Sequence, residues 1–227
     1  MVTLVAHAVA RAPRPAVETR GLRDRPLVWS EIDGIGVWST DWDSAMTFET
    51  ADLMEHHRVV ERLCAAETCL PMRFGTVFAS DEGARAALLP RTAELREALE
   101  RVAGKSELAV TLLWKEHPAP ARTPAEGFGP GTQFMKERGA AYRAQEAERA
   151  RAAELAGSLI AELAAEQPLV WHETCTTPHV AVSLAVLTPS ERALERKREL
   201  EALVSRFVDV AGVVSGPWPP YSFARVR

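Results

Sequence analysis

Cysteine is scarce in this sequence, and its three copies, Cys64, Cys69 and Cys175, are odd in number as well as few. That excludes a disulfide-stapled scaffold and fits thiols kept reduced in a cytoplasm. Excess basic charge is also missing. The net charge is −4, whereas a nucleic-acid partner demands a concentrated surplus of Lys and Arg to neutralise phosphates. No stretch approaches the ~20 apolar residues of a membrane-spanning helix. The opening MVTLVAHAVARAP has no basic residue ahead of its apolar part, so it makes a poor signal peptide. The chemical signatures are lacking too: there is no Walker loop, dinucleotide fingerprint, G-x-S-x-G elbow, C-x-x-C or H-E-x-x-H. These absences predict no catalytic residues, no cofactor, no metal, no nucleic-acid or membrane partner and no obligate small molecule.

What the chain does have is 47% apolar and 26% charged residues over 227 positions, the profile of a soluble globular protein with room for two modest cores. Residues 2–10 are short, apolar and Val-rich, a buried strand. The Pro- and Arg-rich stretch 11–26 is a loop. PLVWSEI and GIGVWST flank Asp33-Gly34, a pair suited to the positive φ angles of a tight hairpin. From Thr50 the apolar period lengthens, and Leu53, His57, Val60 and Cys64 form the stripe of an amphipathic helix ending before Cys69. CLPMRFGTVFAS, residues 69–80, reads as a strand. Ser80 caps a helix that Pro90 restarts, with Leu88, Leu95, Leu99 and Val102 buried and Gly104 as its stop.

The second half reads strand (ELAVTLLW), long helix (132–166), strand (PLVWHETC), strand (HVAVSLAVL), helix (190–206) and strand (VDVAGVVSG). Leu155, Leu159, Ile160 and Leu163 mark the inner face of the long helix. This is the split βαβ order of ferredoxin-like folds. The fold class expected is therefore α+β in two domains. Residues 1–104 form a mixed N-terminal domain, and residues 105–227 form a ferredoxin-like (βαββαβ) domain with an extended tail.

Few residues offer chemistry. His56 and His57 are adjacent, so on a helix they point about 100 degrees apart and cannot chelate one ion from the same face. His172, Cys175 and His179 are all zinc-ligand types, but a turn divides them and no fourth ligand is evident. In GFGPGTQ, residues 127–133, Pro130 removes a donor where a phosphate cradle needs one, so the segment reads as a connector. The Glu and Arg alternation from Glu137 to Glu154 reads as a solvated helix face. Arg73 is the odd member of the 69–80 run. A two-residue period places it with Gly75, Val77 and Ala79, opposite Met72, Phe74, Thr76 and Phe78. Small neighbours leave room for a carboxylate or backbone carbonyls to approach Arg73 as a structural partner, and direct contact with another protein is the other role open to it.

Three stretches go beyond physical reading. CLPMRFGTVFAS, with Pro71, Arg73, Phe74, Gly75, Thr76 and Phe78, closely resembles the L-P-x-R-F-G-T-V-F signature of the gas vesicle protein F/L family. GPWPPYSF, with Gly216, Pro217, Trp218, Pro219, Pro220 and Tyr221, is similar to that family's C-terminal ending. GAAYRAQ, from Gly139, is a weaker match in which Arg143 stands where Leu is usual. The resemblance implies a cytoplasmic, vesicle-associated accessory protein of gas vesicle assembly that binds the small hydrophobic shell protein and other accessory proteins. It also implies that the signature strand of the N-terminal domain makes the contact. A minor structural role in the vesicle wall, or a small-ligand-binding or enzymatic ferredoxin-like protein, are the rival readings. The three prolines of the ending should stop the last strand and send the tail extended across the surface as a clasp between the domains.

Overall fold

The computed structural model describes residues 2–43, 47–115, 130–164 and 168–224. By contacts the chain divides into two compact units. The first comprises Met1–Glu107, Leu187–Glu191 and Pro217–Arg227, and the second comprises Leu108–Val186 and Arg192–Gly216. The tail thus packs with the first unit, whereas the sequence reading grouped residues 105–227 together.

In the first unit, β1 (Val2–Arg11) is the central strand. It is buried at each position from Thr3 to Ala10, so both of its faces are covered. That explains a continuous apolar run in place of the alternation of a half-exposed strand. β2 (Leu27–Ile32) and β3 (Ile35–Asp43) form the expected hairpin, with Asp33 at φ 44 and Gly34 at φ 75 in its turn. β3 pairs antiparallel with β1, which also pairs with β4 (Cys69–Pro71) and β5 (Val77–Phe78), giving the order β2-β3-β1-β4 with β5 beside β1.

The helices are α1 (Thr50–Ala66), α2 (Asp81–Leu88) and α3 (Thr92–Val102). Ser80 Oγ accepts from Gly83 N at 3.1 Å, and Gly104 at φ 66 follows α3, as the sequence suggests. The hairpin turn is tied to α3, where Asp33 takes an ion pair from Arg96 at 2.7 Å and a bond from the Thr92 hydroxyl at 3.2 Å.

Three expectations fail in this unit. The 69–80 segment is not one strand: after β4 the chain turns, with Thr76 N and Oγ1 both donating to Arg73 O at 3.1 and 2.7 Å, and Gly75 at φ 81. The period-two faces assigned to it therefore do not exist. A glycine that supplies the left-handed turn outweighed the apolar content that suggested a strand. Second, the phase of α1 differs from the predicted stripe. Asp52, His56, Val59, Val60 and Leu63 are buried, while Leu53 is 46% exposed. The reading could not see that Asp52 and His56 have buried partners, so it chose the neighbouring apolar stripe. Third, Cys64 and Cys69 are joined as a disulfide with Cα atoms 5.2 Å apart, linking the end of α1 to β4, where free thiols were expected.

In the second unit, β6 (Lys105–Trp114), β7 (Leu169–Thr177), β8 (Val180–Pro189) and β9 (Val210–Trp218) form a sheet ordered β7-β8-β6-β9. PLVWHETC and HVAVSLAVL pair as neighbours. α4 (Pro130–Leu163) follows β6, and α5 (Ala193–Val204) follows β8. Leu108, Val110 and Leu112 of β6 pack with Leu159 and Leu163 of α4 and Leu200 of α5 in one core. Within α4, Ala152 and Ala156 are buried, while Leu155 and Ile160 are only partly so. Of the GFGPGTQ segment read as a connector, residues 127–129 lie outside the described residues, while 130–133 form the start of α4.

β9 continues through Gly216 (φ 106) and Pro217 to Trp218, so Pro217 does not end it, and the strand stops just before Pro219 and Pro220. An edge strand tolerates a residue without a donor when that position faces away from the ladder. Beyond it the tail turns, with Tyr221 N donating to Pro219 O and Ala224 N to Pro220 O, and buries Pro219, Pro220 and Phe223. It does not run extended over the surface.

The phase of α1 is directly testable. Leu63→Ala, at a site 1% exposed, should cost about 2 to 5 kcal/mol by urea denaturation. Leu53→Ala should stay within about 0.5 kcal/mol of the parent. A large loss at Leu53 would restore the predicted stripe.

Candidate functional site

The segment that bears the 69–80 signature is held from beneath by a buried chain of hydrogen bonds. His7 of β1 and His56 of α1 are 0% and 2% exposed, and their Nδ1 atoms lie 2.9 Å apart. His7 Nε2 is 2.7 Å from Thr40 Oγ1, which accepts from Leu22 N at 3.1 Å. His56 Nε2 is 3.1 Å from the carbonyl oxygen of Met72. A carbonyl only accepts, so neutral His56 carries its proton on Nε2 and accepts at Nδ1. His7 then donates from Nδ1 and accepts the Thr40 hydroxyl at Nε2. Every donor and acceptor in the relay is matched in one direction, from Leu22 N–H to Met72 C=O. Met72 N also donates to His7 O at 2.8 Å, closing β4 onto β1.

A second device fixes the start of α1. Arg23 donates from Nε and Nη2 to the two oxygens of Asp52 at 2.9 and 2.8 Å, and Asp52 Oδ2 also accepts from Glu49 N in a capping box. The bond from Arg23 holds the Asp52 carboxyl below the usual carboxylate range against the opposing effect of burial. Arg23 adopts φ 52, and its guanidinium lies 4.8 Å from the centre of the Trp42 ring.

On this frame sits an open groove of about 1090 Å³ in the first unit. Its walls include Leu53 and Met54 of α1, Leu88 and Leu95 of α2 and α3, and Met72 and Arg73 of the turn. Of the signature residues, Pro71 is buried at the end of β4 and Phe74 is half-buried. The Phe74 ring lies 5.0 Å from that of Phe48 and 5.3 Å from that of His56. Gly75 and Thr76 make the turn, and Phe78 pairs with Leu4. Arg73 is exposed, and its guanidinium makes no ion pair among the described residues. No carboxylate partner for it is found among the described residues.

His57, one position on from His56, faces the tail. Its ring lies 5.6 Å from that of Trp218 and 6.1 Å from that of Tyr221, with Nδ1 3.4 Å from the Tyr221 hydroxyl. Burial pushes the Tyr221 phenol up to about 12, and Glu61 and Glu107 add to that shift. The Glu107 carboxylate accepts from Ser222 N and Oγ at 2.7 and 2.8 Å. Tyr221 and Ala224 thereby close one end of the groove. In the second unit, Tyr142 of the GAAYRAQ segment is 60% exposed.

Sequence reasoning missed His7, Thr40, Arg23 and Asp52. A single His inside an apolar strand and a single Asp on the buried side of a helix were the available signals, and each has meaning only once its partner is known. Among the described residues no group of three or more His, Cys, Asp or Glu side chains is gathered for a metal ion. No helix among them is long and apolar enough to cross a membrane.

The relay predicts a pH dependence of stability. Burial, and behind it the proximity of His56, lowers His7 from 6.5 to about 3, and burial lowers His56 as well. The unfolded chain therefore binds protons that the folded chain refuses between about pH 6.5 and 3, so stability is full above that window and falls as pH drops through it. His7 alone should make the protein about 2 kcal/mol less stable at pH 5 than at pH 7. Urea denaturation at the two pH values should show the loss, and His7→Leu should flatten it. An unchanged slope in the variant would assign the effect elsewhere.

A family described as "Gas vesicle synthesis protein GvpL/GvpF" matches residues 4–225. Gas vesicle protein L2 of Halobacterium salinarum is 32% identical over 91% of this chain and 84% of its own. Gas vesicle protein F of Nostoc sp. is 35% identical over 45% of each chain. The crystal structure of the gas vesicle protein GvpF from Anabaena sp. matches with a TM-score of 0.75 at 21% identity, covering 100% of this chain and 98% of that one. That of GvpF from Microcystis aeruginosa gives 0.73 at 19% identity, with both chains covered in full. The mixed α+β fold of this chain is thus similar to that of both crystal structures.

Proposed function

The chain belongs to the gas vesicle synthesis protein GvpL/GvpF family, and on that premise we propose that it is a non-catalytic accessory protein of gas vesicle assembly. It engages the small hydrophobic shell protein through the face that carries the 69–80 signature, and chaperones or nucleates wall formation. One observation supports this reading above the others: the groove beside the signature turn exposes Leu53 and Met54 by 46% and 52%, an apolar surface that water does not favour unless another protein covers it. A ligand-binding enzyme would instead converge several polar groups on an enclosed cavity. The order β7-β8-β6-β9, with helices after β6 and β8, supports reading the second unit as ferredoxin-like.

The test is recovery of the shell protein with the tagged full-length chain from cells expressing the vesicle proteins, paired with deletion of the chain. The shell protein should copurify, and cells without the chain should form no vesicles. Vesicles persisting in its absence, with no shell protein recovered, would end the assembly role. A constant ratio of the chain in purified intact vesicles would instead place it in the wall.

We further propose that Gly216 to Tyr221 serve as a clasp, through the stacking of Tyr221 on His57 and the tilted contact of Trp218 with the same ring. Removing residues 218–227 should abolish vesicle formation while circular dichroism retains the helix and strand content. Vesicles at the parental level from the truncated chain would make the tail dispensable.

A further inference from the structure

The groove is basic at its rim, although the chain as a whole carries a net charge of −4. Arg91, on one side, is engaged by Glu94 at 3.6 Å. Arg73, at the signature turn, is exposed and makes no ion pair among the described residues. Its backbone is nonetheless fixed, because Arg73 O accepts two bonds from Thr76 and the preceding residue is tied to both His7 and His56. A positioned guanidinium beside apolar side chains favours a carboxylate, whose bond to it gains strength as water is displaced around the pair.

The shape narrows the occupant. The volume, about 1090 Å³, lies above the roughly 300 to 1,000 Å³ of small-molecule clefts, and the half-exposed Leu53 and Met54 leave it open. An added strand is a poor fit, because β4 has only three residues and Pro71 among them has no amide donor. A helix needs no backbone partners. It docks by side chains spaced at i, i+3, i+4 and i+7.

We infer that the groove receives an amphipathic α-helix whose apolar row lies on the exposed Leu53 and Met54, over a floor that includes the largely buried Leu88 and Leu95, and whose flank presents a carboxylate to Arg73. The inference rests on the reading that the chain engages another gas vesicle protein, and it specifies the chemistry that such a partner presents.

Two synthetic helical peptides test it. Both carry leucines at i, i+3, i+4 and i+7, one with Glu and the other with Lys at the flanking positions. Each is labelled and titrated with the full-length chain by fluorescence anisotropy. The Glu peptide should bind about fivefold more tightly than the Lys peptide, and the ratio should shrink with added salt. Arg73→Glu should invert the preference, and Leu53→Asp should weaken both peptides. Both substitutions are at exposed positions, and unchanged melting temperatures would confirm that the fold survives them. Failure of the Glu peptide to bind, equal affinities, or a preference for Glu that survives Arg73→Glu would overturn the inference.

The shell-protein recovery experiment separates this idea from the reading beneath it. If the chain recovers the shell protein but does not discriminate the peptides, the groove inference fails and the assembly reading stands. If the peptides are discriminated but no shell protein is recovered, the groove chemistry stands and the choice of partner fails.

Discussion

The first unit is organised around two neutral histidines buried against each other. Burying one imidazole without partners would leave polar nitrogens unsatisfied at a cost of about 1 to 3 kcal/mol each. Burying two in contact succeeds here because their tautomers interlock. The proton order that begins at Leu22 N–H and ends at Met72 C=O leaves no nitrogen of His7 or His56 unmatched. Reversing any one link would put two donors or two acceptors face to face. The same five residues lie on β1, β3, α1, the 3-10 turn at Leu22–Asp24 and the signature turn, so a single hydrogen-bond pattern sets the relative placement of five pieces of chain.

Placement of α1 follows from this. Once His56 must face His7 and Asp52 must face Arg23, the rotation of the helix is decided by polar contacts, and Leu53 and Met54 are carried outward. An apolar surface is thereby maintained at the groove against the tendency of the hydrophobic effect to turn it inward. Burying Leu53 would gain about 1.5 to 3 kcal/mol of transfer free energy. That gain is smaller than the combined loss from breaking a part-buried bidentate ion pair and a buried four-link relay. The exposed apolar wall is thus a consequence of which contacts are stronger.

Local features of the fold were legible from the sequence: the Asp33-Gly34 hairpin, the Ser80 cap, the stop at Gly104, and the order of elements from β6 to β9. Each depends on residues within a few positions of one another. The site was legible only in part. The signature marked the right segment, yet its geometry was misread because Gly75 was counted as a strand residue when its positive φ makes the turn. His7 and Thr40 are 33 positions apart, and His7 and His56 are 49 apart. No periodicity within a window of residues can connect them. The tail was misread for a related reason: Pro217 forbids donation to a ladder, but it does not forbid a strand whose outer edge has no neighbour to receive that bond.

The arginine in the signature is explained by the roles of the residues around it. Pro71 ends β4, Met72 is tied by its own N–H and C=O to the two histidines, Phe74 is drawn toward Phe48 and His56, and Gly75 permits the reversal. With both neighbours of Arg73 turned inward and the chain reversing immediately after it, residue 73 is left at the outside of the turn. A hydrophobic side chain there would extend the apolar groove and add to its self-association, whereas a guanidinium keeps its head in water while its stem lies along apolar surface. The same residue therefore limits nonspecific sticking and, in the complex proposed above, would supply a directional contact. A carboxylate at this position would repel an acidic partner, and Lys would supply the charge without the planar, bidentate geometry that orients a partner carboxylate. The signature combines a backbone held by the relay with a single outward charge, and the selectivity proposed for the groove rests on that combination.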